Sequence, residues 1–503
     1  MGLTLNASNG VRPLTEAEKA AVRKDLDVVS VDPVTGSLVS GAGNRLPVAT
    51  YGRRLAVFGD SRSVNGWISY APSAVSVTGS VVSATATNLG LAVAVGDQIT
   101  LGRNTGCDYL RATVVTIPDT DNITASINFP VAGLPSGAIR NSNSTIVLRG
   151  TRRPTNSGNY IFWLLALLGQ PFEQVDCYAF SGARLDGLID GQMADAFGVG
   201  FDAVWMHIGA NDYISTLDNR DAAYCIAKLQ TIVGRLAGRP VWLFLEPPLS
   251  GAYSTATHLA RIQAINAWAR TTAGVRVVDL YSAMDDGTGV AKSGWLHDGL
   301  HEGTKGALGA ALATYQSMGL PISDRSVTTL GANTARFPIA NPAMSGTVGA
   351  TQSPTGYGKT AVSLITETGY GLQAKADGTG NEWYIDVSAS GAGQHHVRCA
   401  STAVTAGVKY RARLKMQIIG MVGLDYIEVT LRNQTGDAFI ANLMAGSSTA
   451  LIGDSDGTYT FWVEQDVTIP AGVTNVYMRP RLFFDGPGGG RVVHSDWQLE
   501  AVA

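Results

Sequence analysis

Residue types that together can carry out acyl transfer occur at two distant places in the chain. Ser61 closes the segment Gly59-Asp60-Ser61, which directly follows an apolar run, and Asp298 precedes His301 by three positions. A serine hydroxyl becomes a nucleophile when a base takes its proton, and an imidazole is the commonest base. A carboxylate beside the imidazole can orient it. Ser61, His301 and Asp298 are therefore candidates for nucleophile, base and orienting residue.

Two further positions could supply hydrogen bonds to the oxyanion of a tetrahedral intermediate. Gly182 and Asn211 each follow another apolar run. The backbone N–H groups of Ser61 and Gly182, with the side-chain amide of Asn211, would provide three donors. Taken singly, each of these residues is more typical of a turn, a helix cap or a solvated loop. Their common position after apolar runs favours a shared site.

The segments that would hold these residues alternate between two patterns of hydrophobicity. Short apolar runs predict strands at 55–58, 175–180, 203–208, 241–245 and 275–280. Helical patterns lie near residues 160–168, 185–197, 221–236, 257–272 and 306–318. Such alternation predicts a parallel sheet with helices on both faces. Ligands bind beyond the carboxyl ends of such strands, so we expect Ser61, Gly182 and Asn211 to meet there.

One long segment interrupts this alternation. Residues 72–150 contain short β-type runs between turn residues and no convincing helical pattern. They predict a small β-domain inserted between the first strand and its helix. The α/β domain would then comprise residues 51–71 and 151–322.

The two ends of the chain differ from the middle. Residues 323–503 alternate in hydrophobicity as half-buried antiparallel strands do, which predicts a β-sandwich or jelly roll. Residues 1–50 form a leader in which Thr15 and Glu18 match a capping box and predict one short helix. Aromatic residues of the C-terminal part are candidates either for a sugar-stacking surface or for core. They are Trp383, Tyr384, Tyr426, Trp462 and Trp497.

The composition argues against several classes of protein. The formal net charge is −3 without a dense basic run, so we expect no nucleic-acid partner. The four cysteines are scattered without a CxxC pair, which predicts free buried thiols rather than a zinc site or a disulfide framework. No segment has the length of a membrane span, and the N-terminus lacks the pattern of a signal peptide. We expect neither a metal nor another cofactor.

The candidate residues form four blocks that resemble those of the SGNH (GDSL-like) hydrolases. The blocks are Gly59-Asp60-Ser61, Gly182, Gly209-x-Asn211-Asp212 and Asp298-x-x-His301, in the order of that family. The resemblance implies a flavodoxin-like three-layer α/β/α fold with a five-stranded parallel sheet. It also implies Ser61 as nucleophile, Asp298 as orienting residue and His301 as base, with Ser61, Gly182 and Asn211 as the oxyanion donors.

The sequence departs from the family pattern in three places. Arg62 follows the serine where the family's name has Leu, a variation from which we expect little consequence. The insertion after the first block is long and could form a wall of the cleft. His297, beside Asp298, is a rival for the role of base, although the family spacing favours His301.

The layout of the whole chain resembles phage tail spikes and tail fibres that carry an SGNH domain. This resemblance implies a homotrimer in the virion, made in the host cytoplasm and attached to other tail or baseplate proteins through its N-terminus. It also implies removal of acetyl groups from capsule or O-antigen polysaccharide, a carbohydrate acetylesterase activity. The alternatives are a catalytically silent glycan-binding tail protein and a lipase or thioesterase of the same fold.

Overall fold

The structure is a computed structural model that divides into two units, Met1–Tyr51 and Gly52–Ala503. Outside four short N-terminal strands it describes residues 54–67, 69–93, 95–102, 109–130, 137–138, 145–148, 153–214, 218–322, 344–349, 352–375, 380–446 and 457–502. The N-terminal strands form two antiparallel pairs: β1 (Thr4–Ala7) with β2 (Gly10–Pro13), and β3 (Val28–Val31) with β4 (Leu38–Ser40). The helix predicted from Thr15 lies outside the described residues.

The second unit begins with the strand that leads to the first block. β5 (Arg54–Gly59) has its four apolar residues wholly buried, and a short helix, Ser61–Val64, starts immediately after it. The side chain of Asp60 caps this helix by accepting a hydrogen bond from the Arg62 N–H at 3.0 Å. Ser61 therefore sits in the first turn of a helix at a strand end.

Eight antiparallel strands follow between this helix and the next long one. They are β6 (Ser69–Tyr70), β7 (Ala74–Thr78), β8 (Val81–Thr85), β9 (Gln98–Gly102), β10 (Tyr109–Thr116), β11 (Asn122–Pro130), β12 (Gly137–Ala138) and β13 (Thr145–Leu148). They form one sheet in the order β12-β7-β8-β11-β10-β9-β13-β6, with its own cluster of buried apolar side chains and one short helix, Leu89–Ala92. Arg111 of this sheet contacts Asp195 of the α/β region at 2.7 Å.

The remaining strands of the α/β region are β14 (Gln174–Cys177), β15 (Ala203–His207), β16 (Val241–Phe244) and β17 (Arg276–Val278). With β5 they form the predicted parallel sheet, in the order β14-β5-β15-β16-β17. This is the flavodoxin-like order 2-1-3-4-5, which reverses direction between its first and third strands. In sheets of this order, ligands bind beyond the strand ends on either side of the reversal, which here are those of β5 and β15.

The predicted helices are present with small shifts of their ends. They span Tyr160–Leu167, Leu185–Val199, Ala222–Arg235, Ala256–Thr271 and Thr304–Thr314, and the second contains a wider π-helical turn at Leu188–Gln192. Shorter helical turns lie at Ala210–Tyr213, Gly251–Tyr253, Leu280–Met284, Tyr315–Met318 and Thr435–Asp437. No helix within the described ranges combines the length and hydropathy that crossing a membrane requires.

The C-terminal region is antiparallel β structure, as predicted. Its strands are β18 (Gly358–Ala374), β19 (Asn381–Arg398), β20 (Thr402–Ala403), β21 (Lys409–Asn433), β22 (Phe439–Met444), β23 (Gly457–Thr468) and β24 (Asn475–Ala501). The main path runs β18-β19-β24-β21-β22, with β20 against β24 and β23 against β21. The arrangement of these strands as a two-layered sandwich, the inserted sheet as a separate domain and the exact domain boundaries remain predictions.

Helix Tyr160–Leu167 packs between the parallel sheet and the C-terminal region. All eight of its residues are buried, although surface helices normally keep one polar face. One side faces the parallel sheet, where the rings of Tyr160 and Phe244 lie 5.3 Å apart. On another side the ring of Trp163 packs against Phe461 of β23 at 5.4 Å. The helix is apolar all round because it is covered on two sides.

A buried ion pair and paired amide contacts join the same two regions. Arg153 contacts Glu464 of β23 at 2.6 Å, and both side chains are almost fully buried. The side chain of Gln465 exchanges two hydrogen bonds of 3.0 Å with the Arg153 backbone. Of the C-terminal aromatic residues, Trp383, Trp462 and Trp497 are core, whereas Tyr384 and Tyr426 are half-buried. Cys177, Cys225 and Cys399 are buried, as predicted, and form no disulfide among the described residues, whereas Cys107 lies outside them.

Candidate active site

The carboxyl edge of the parallel sheet brings the predicted site residues together. Gly59 at the end of β5 is in register with His207 at the end of β15, so the turns that follow the two strands lie side by side. One turn carries Ser61 and the other carries Asn211. The late loop that contains Asp298 and His301 closes over the same edge, as the contacts of His301 show.

Ser61, His301 and Asp298 form a continuous chain of hydrogen bonds. The Ser61 Oγ lies 2.8 Å from His301 Nε2, and His301 Nδ1 lies 2.6 Å from Asp298 Oδ2. The other carboxylate oxygen of Asp298 accepts bonds from the N–H groups of Leu300 and His301, at 2.9 and 2.7 Å. The loop therefore fixes the carboxylate by its own backbone, and the carboxylate fixes the imidazole.

The protonation states of Asp298 and His301 determine which of their atoms donate hydrogen bonds. Burial tends to raise the pKa of Asp298, but hydrogen bonds from the His301 ring and backbone outweigh it and hold that pKa well below its usual value. Burial tends to lower the pKa of His301, yet Asp298 raises it above 6.5. An ionised carboxylate only accepts, so Nδ1 of a neutral His301 donates to Asp298. Nε2 is then free to accept the Ser61 proton.

The two predicted oxyanion residues lie on adjoining turns. Gly182 has a φ of +77°, a conformation that glycine adopts without strain, in the turn after β14. Asn211 donates from Nδ2 to the carbonyl of Ala183 at 3.0 Å, which ties the third block to the residue after Gly182. Because that amide group has two hydrogens, one remains for another acceptor.

Asp212, beside Asn211, also connects the turn that carries Asn211 with the one that carries Gly182. It is fully buried and accepts a hydrogen bond from the Leu185 N–H at 3.1 Å. Burial raises its pKa to about 7. In the sequence Asp212 is only a member of the third block, and the structure adds a contact through which it connects the second and third blocks.

His297 lies beside the triad-like chain without replacing any member of it. Its ring stacks against His301 with centroids 5.7 Å apart, and its Nε2 is 3.7 Å from Asp298 Oδ2. The hydrogen bond to Ser61 comes from His301. One potential metal-ligand atom from each of His297, Asp298 and His301 lies within 4.8 Å of the other two, a spacing that would suit a metal ion. Asp298 and His301 already bind each other, and the absence of a metal from the reaction remains a prediction.

The residues on either side of Ser61 belong to a buried cluster of charged side chains that the sequence did not predict. Arg62 has no exposed side-chain surface and contacts Asp60 at 3.0 Å and Glu246 at 2.6 Å. The hydroxyl of Tyr213 donates to the same Glu246 oxygen at 2.7 Å. The variation at Arg62 leaves the family match intact, and the structure adds that this arginine is buried and paired with two carboxylates. The available signal was a pair of opposite charges, Asp60 and Arg62, directly after an apolar run.

Glu302 places another carboxyl group next to the base. Glu302 is 5% exposed, and none of the described residues forms a hydrogen bond with its Oε1. Burial raises its pKa to about 7, against the opposing charges of Arg62 and His301. The spacing of the blocks gives no indication of this residue, since it follows His301 without belonging to the motif.

Comparison with known proteins finds a family that matches part of the chain. Residues 144–307 match the model of the GDSL-like Lipase/Acylhydrolase family. This part, about a third of the chain, is similar to a GDSL-like acylhydrolase domain. The matched range includes Gly182, Asn211, Asp298 and His301, whereas Ser61 precedes it beyond the inserted sheet. No curated protein matches the chain.

Solved structures give weaker similarities. A lipase/acylhydrolase from Enterococcus faecalis is 22% identical over 29% of this chain and 75% of its own, with a TM-score of 0.25. A carbohydrate-binding module of the β-sandwich superfamily is 10% identical over 29% of this chain and 57% of its own, with a TM-score of 0.22. The active domain of tailspike protein 4 from bacteriophage CBA120 is 10% identical over 33% of this chain, at a TM-score of 0.24, and the chain spans only 21% of its length. The GDSL-like assignment rests on the family match.

Proposed function

We propose that this protein is a serine esterase whose nucleophile is Ser61. The observation that carries the proposal is the hydrogen-bonded chain from Ser61 Oγ through His301 to Asp298. A family that hydrolyses acyl esters and a chain of this geometry point to the same chemistry.

The reaction follows from the positions of the protons. Ser61 Oγ attacks the ester carbonyl while His301 Nε2 takes the hydroxyl proton, and the imidazolium that forms is stabilised by Asp298. The N–H groups of Ser61 and Gly182 and the Asn211 amide donate to the oxyanion. His301 then gives its proton to the departing alcohol, which leaves an acyl-serine. Water attacks this ester with His301 again as base, so that a carboxylic acid is released and Ser61 is restored.

We propose acetylated bacterial surface polysaccharide as the substrate and a phage tail spike or tail fibre as the setting. The support is the layout: a leader, an inserted sheet and a C-terminal antiparallel region that is joined to the hydrolase region through buried contacts. Such a region could hold glycan near Ser61 or pack a trimer. Light scattering of the purified chain tests the proposed trimer, which a monomer would contradict.

The first experiment measures acetate release from 4-nitrophenyl acetate by the wild type, Ser61→Ala and Ser63→Ala. Ser63 lies in the same short helix but is buried, with Oγ 3.4 Å from the His207 carbonyl oxygen. We expect turnover to fall by several powers of ten in Ser61→Ala, because the acyl-enzyme route disappears, and to persist in Ser63→Ala. Equal activity of a folded Ser61→Ala variant would contradict the assignment.

The substrate class is tested with two further comparisons. Butyrate and octanoate esters separate an acetylesterase from a lipase or thioesterase, since longer acyl groups need an apolar channel. Purified O-acetylated capsule or O-antigen, measured beside an N-acetylated oligosaccharide, shows whether glycan is the target and which bond is cleaved. Binding of polysaccharide without acetate release would favour the silent glycan-binding protein.

A further inference from the structure

The cluster of Asp60, Arg62, Glu246 and Tyr213 links the turns that carry the proposed catalytic groups. Asp60 and Arg62 flank Ser61 in the sequence. Tyr213 closes the short helix Ala210–Tyr213, which also contains Asn211. Glu246 follows β16, the neighbour of β15 in the sheet. The four side chains therefore connect the ends of β5, β15 and β16.

The hydrogen bonds of the cluster form a chain from Asp60 through Arg62 and Glu246 to Tyr213. Arg62 donates from Nε and from both terminal nitrogens, to Asp60 and to Glu246, at 2.6 to 3.3 Å. Glu246 in turn accepts a hydrogen bond from the Tyr213 hydroxyl at 2.7 Å, and its backbone exchanges two hydrogen bonds with the Asn266 amide. The Glu246 side chain also lies against Gly209, where an added Cβ would be 3.4 Å from Oε1.

Because this cluster is buried, each of its charges needs a partner within the cluster. The side chains of Asp60 and Arg62 have no exposed surface and that of Glu246 has 4%. Removing one member of a buried ion pair leaves an uncompensated charge, so these residues have few alternative arrangements. Ser61 cannot shift without moving Asp60 or Arg62, because it is covalently bonded to both.

We propose that Arg62 is a positioning residue that fixes the Ser61 turn against the Asn211 turn through Glu246. This inference rests on the proposed esterase function. Oxyanion stabilisation requires donors on two different turns to meet one oxygen, and a displacement of about 1 Å can cost about 100-fold in rate. Arg62 acts on this distance without touching the substrate.

The test replaces the charged pair by apolar residues of similar size, Arg62→Met with Glu246→Leu. The double variant keeps the net charge of the cluster, and Asp60 keeps its helix cap but loses the hydrogen bonds from the Arg62 side chain. We expect kcat for 4-nitrophenyl acetate to fall about 100-fold with KM changed less than about threefold. The midpoint of the pH profile should stay in place, since Asp298 and His301 are untouched.

A matched control replaces an ion pair outside the cluster. Arg111→Met with Asp195→Leu removes the contact between the inserted sheet and the helix Met193–Val199. We expect this variant to keep the wild-type kcat per folded molecule. A fall of kcat equal to that of the Arg62 and Glu246 variant would mean that loss of any buried pair suffices, and the proposal would be overturned.

The remaining outcomes are distinguishable. A folded Arg62 and Glu246 double variant with wild-type kcat overturns the positioning role while leaving the esterase proposal intact. An inactive wild type refutes the esterase proposal itself. If the double variant does not fold, Tyr213→Phe decides, because it removes one hydroxyl only: a fall in kcat of about tenfold supports the proposal and an unchanged kcat overturns it.

Discussion

Among the described residues, charged side chains are buried both at the carboxyl edge of the parallel sheet and where the C-terminal sheet meets the α/β region, and Ser61 lies at the first of these places. At the carboxyl edge of the parallel sheet, Arg62 lies between Asp60 and Glu246. Where the C-terminal sheet meets the α/β region, Arg153 and Arg413 both contact Glu464. The residue types are the same in both places. After β5 the chain leaves the sheet, so the Ser61 hydroxyl beside the buried charges can contact His301. Glu464 lies within a paired strand, and its side chain remains enclosed.

The histidines of the two regions show the same contrast. His301, with a 19% exposed side chain, has its pKa raised because Asp298 outweighs the effect of burial. His494 lies within β24 and is only 2% exposed, and burial lowers its pKa to about 3. One ring gains a carboxylate and can exchange protons near neutral pH. The other is held neutral between Trp383 and Trp497.

The sharpest test of this contrast substitutes the two histidines in parallel. His301→Ala should lower kcat by about 10⁴-fold or more, since the base is lost. His494→Ala should lower the melting temperature, because it opens a cavity in a packed sheet, with kcat per folded molecule unchanged. Steady-state kinetics and thermal melts measure both. A His494→Ala enzyme as slow as His301→Ala, at a temperature where it is folded, would abolish the distinction.

The carboxylates can be compared in the same way. Asp298→Asn keeps the shape of the side chain but removes the acceptor that holds Nδ1–H of His301, so we expect a loss in kcat of about 10³- to 10⁴-fold. Asp496→Asn, which weakens a buried contact with Lys375 in the C-terminal region, should instead affect stability alone. Equal kcat values for the two variants would argue against an orienting role for Asp298.

The pH dependence of activity sharpens the comparison further. His301 acts as base only when neutral, and its pKa lies above 6.5. We therefore expect kcat/KM to fall about tenfold per pH unit below a midpoint that is higher than 6.5. Initial rates across the pH range, with the fold monitored by circular dichroism, give that midpoint. A profile that stays flat into acid would contradict the assignment.

The smallest expected effect concerns acid stability. His494 is protonated in the unfolded chain below pH 6.5, whereas burial lowers its pKa in the fold to about 3, so the folded state loses stability progressively as the pH falls across that window. The raised pKa of His301 acts in the opposite sense: its stabilisation is full below pH 6.5 and is lost as the pH rises through the folded value. His494→Phe should make the melting temperature less sensitive to acid. An unchanged slope would show that His494 does not govern it.

The sequence predicts the hydrolase region well because local patterns dominate there. The run at 55–58 predicts a buried strand, and β5 spans Arg54–Gly59. The pattern at 160–168 predicts a helix, and the structure has Tyr160–Leu167. Periodicity and strand-end residues report directly on such elements. The region at 185–197 is less regular than predicted, since a π-helical turn interrupts it, and nothing in a short apolar pattern distinguishes the two helix types.

The sequence by itself determined which residues could react: four spaced blocks of Ser, Gly, Asn, Asp and His, each after an apolar run or in a late loop. Only the tertiary structure decided that His301 rather than His297 meets Ser61, because that depends on how the late loop closes over the sheet edge. It also decided that Arg62 is buried with Glu246, a residue far along the chain. Spacing encodes local turns, whereas pairing of distant charges depends on which strand ends the sheet order brings side by side.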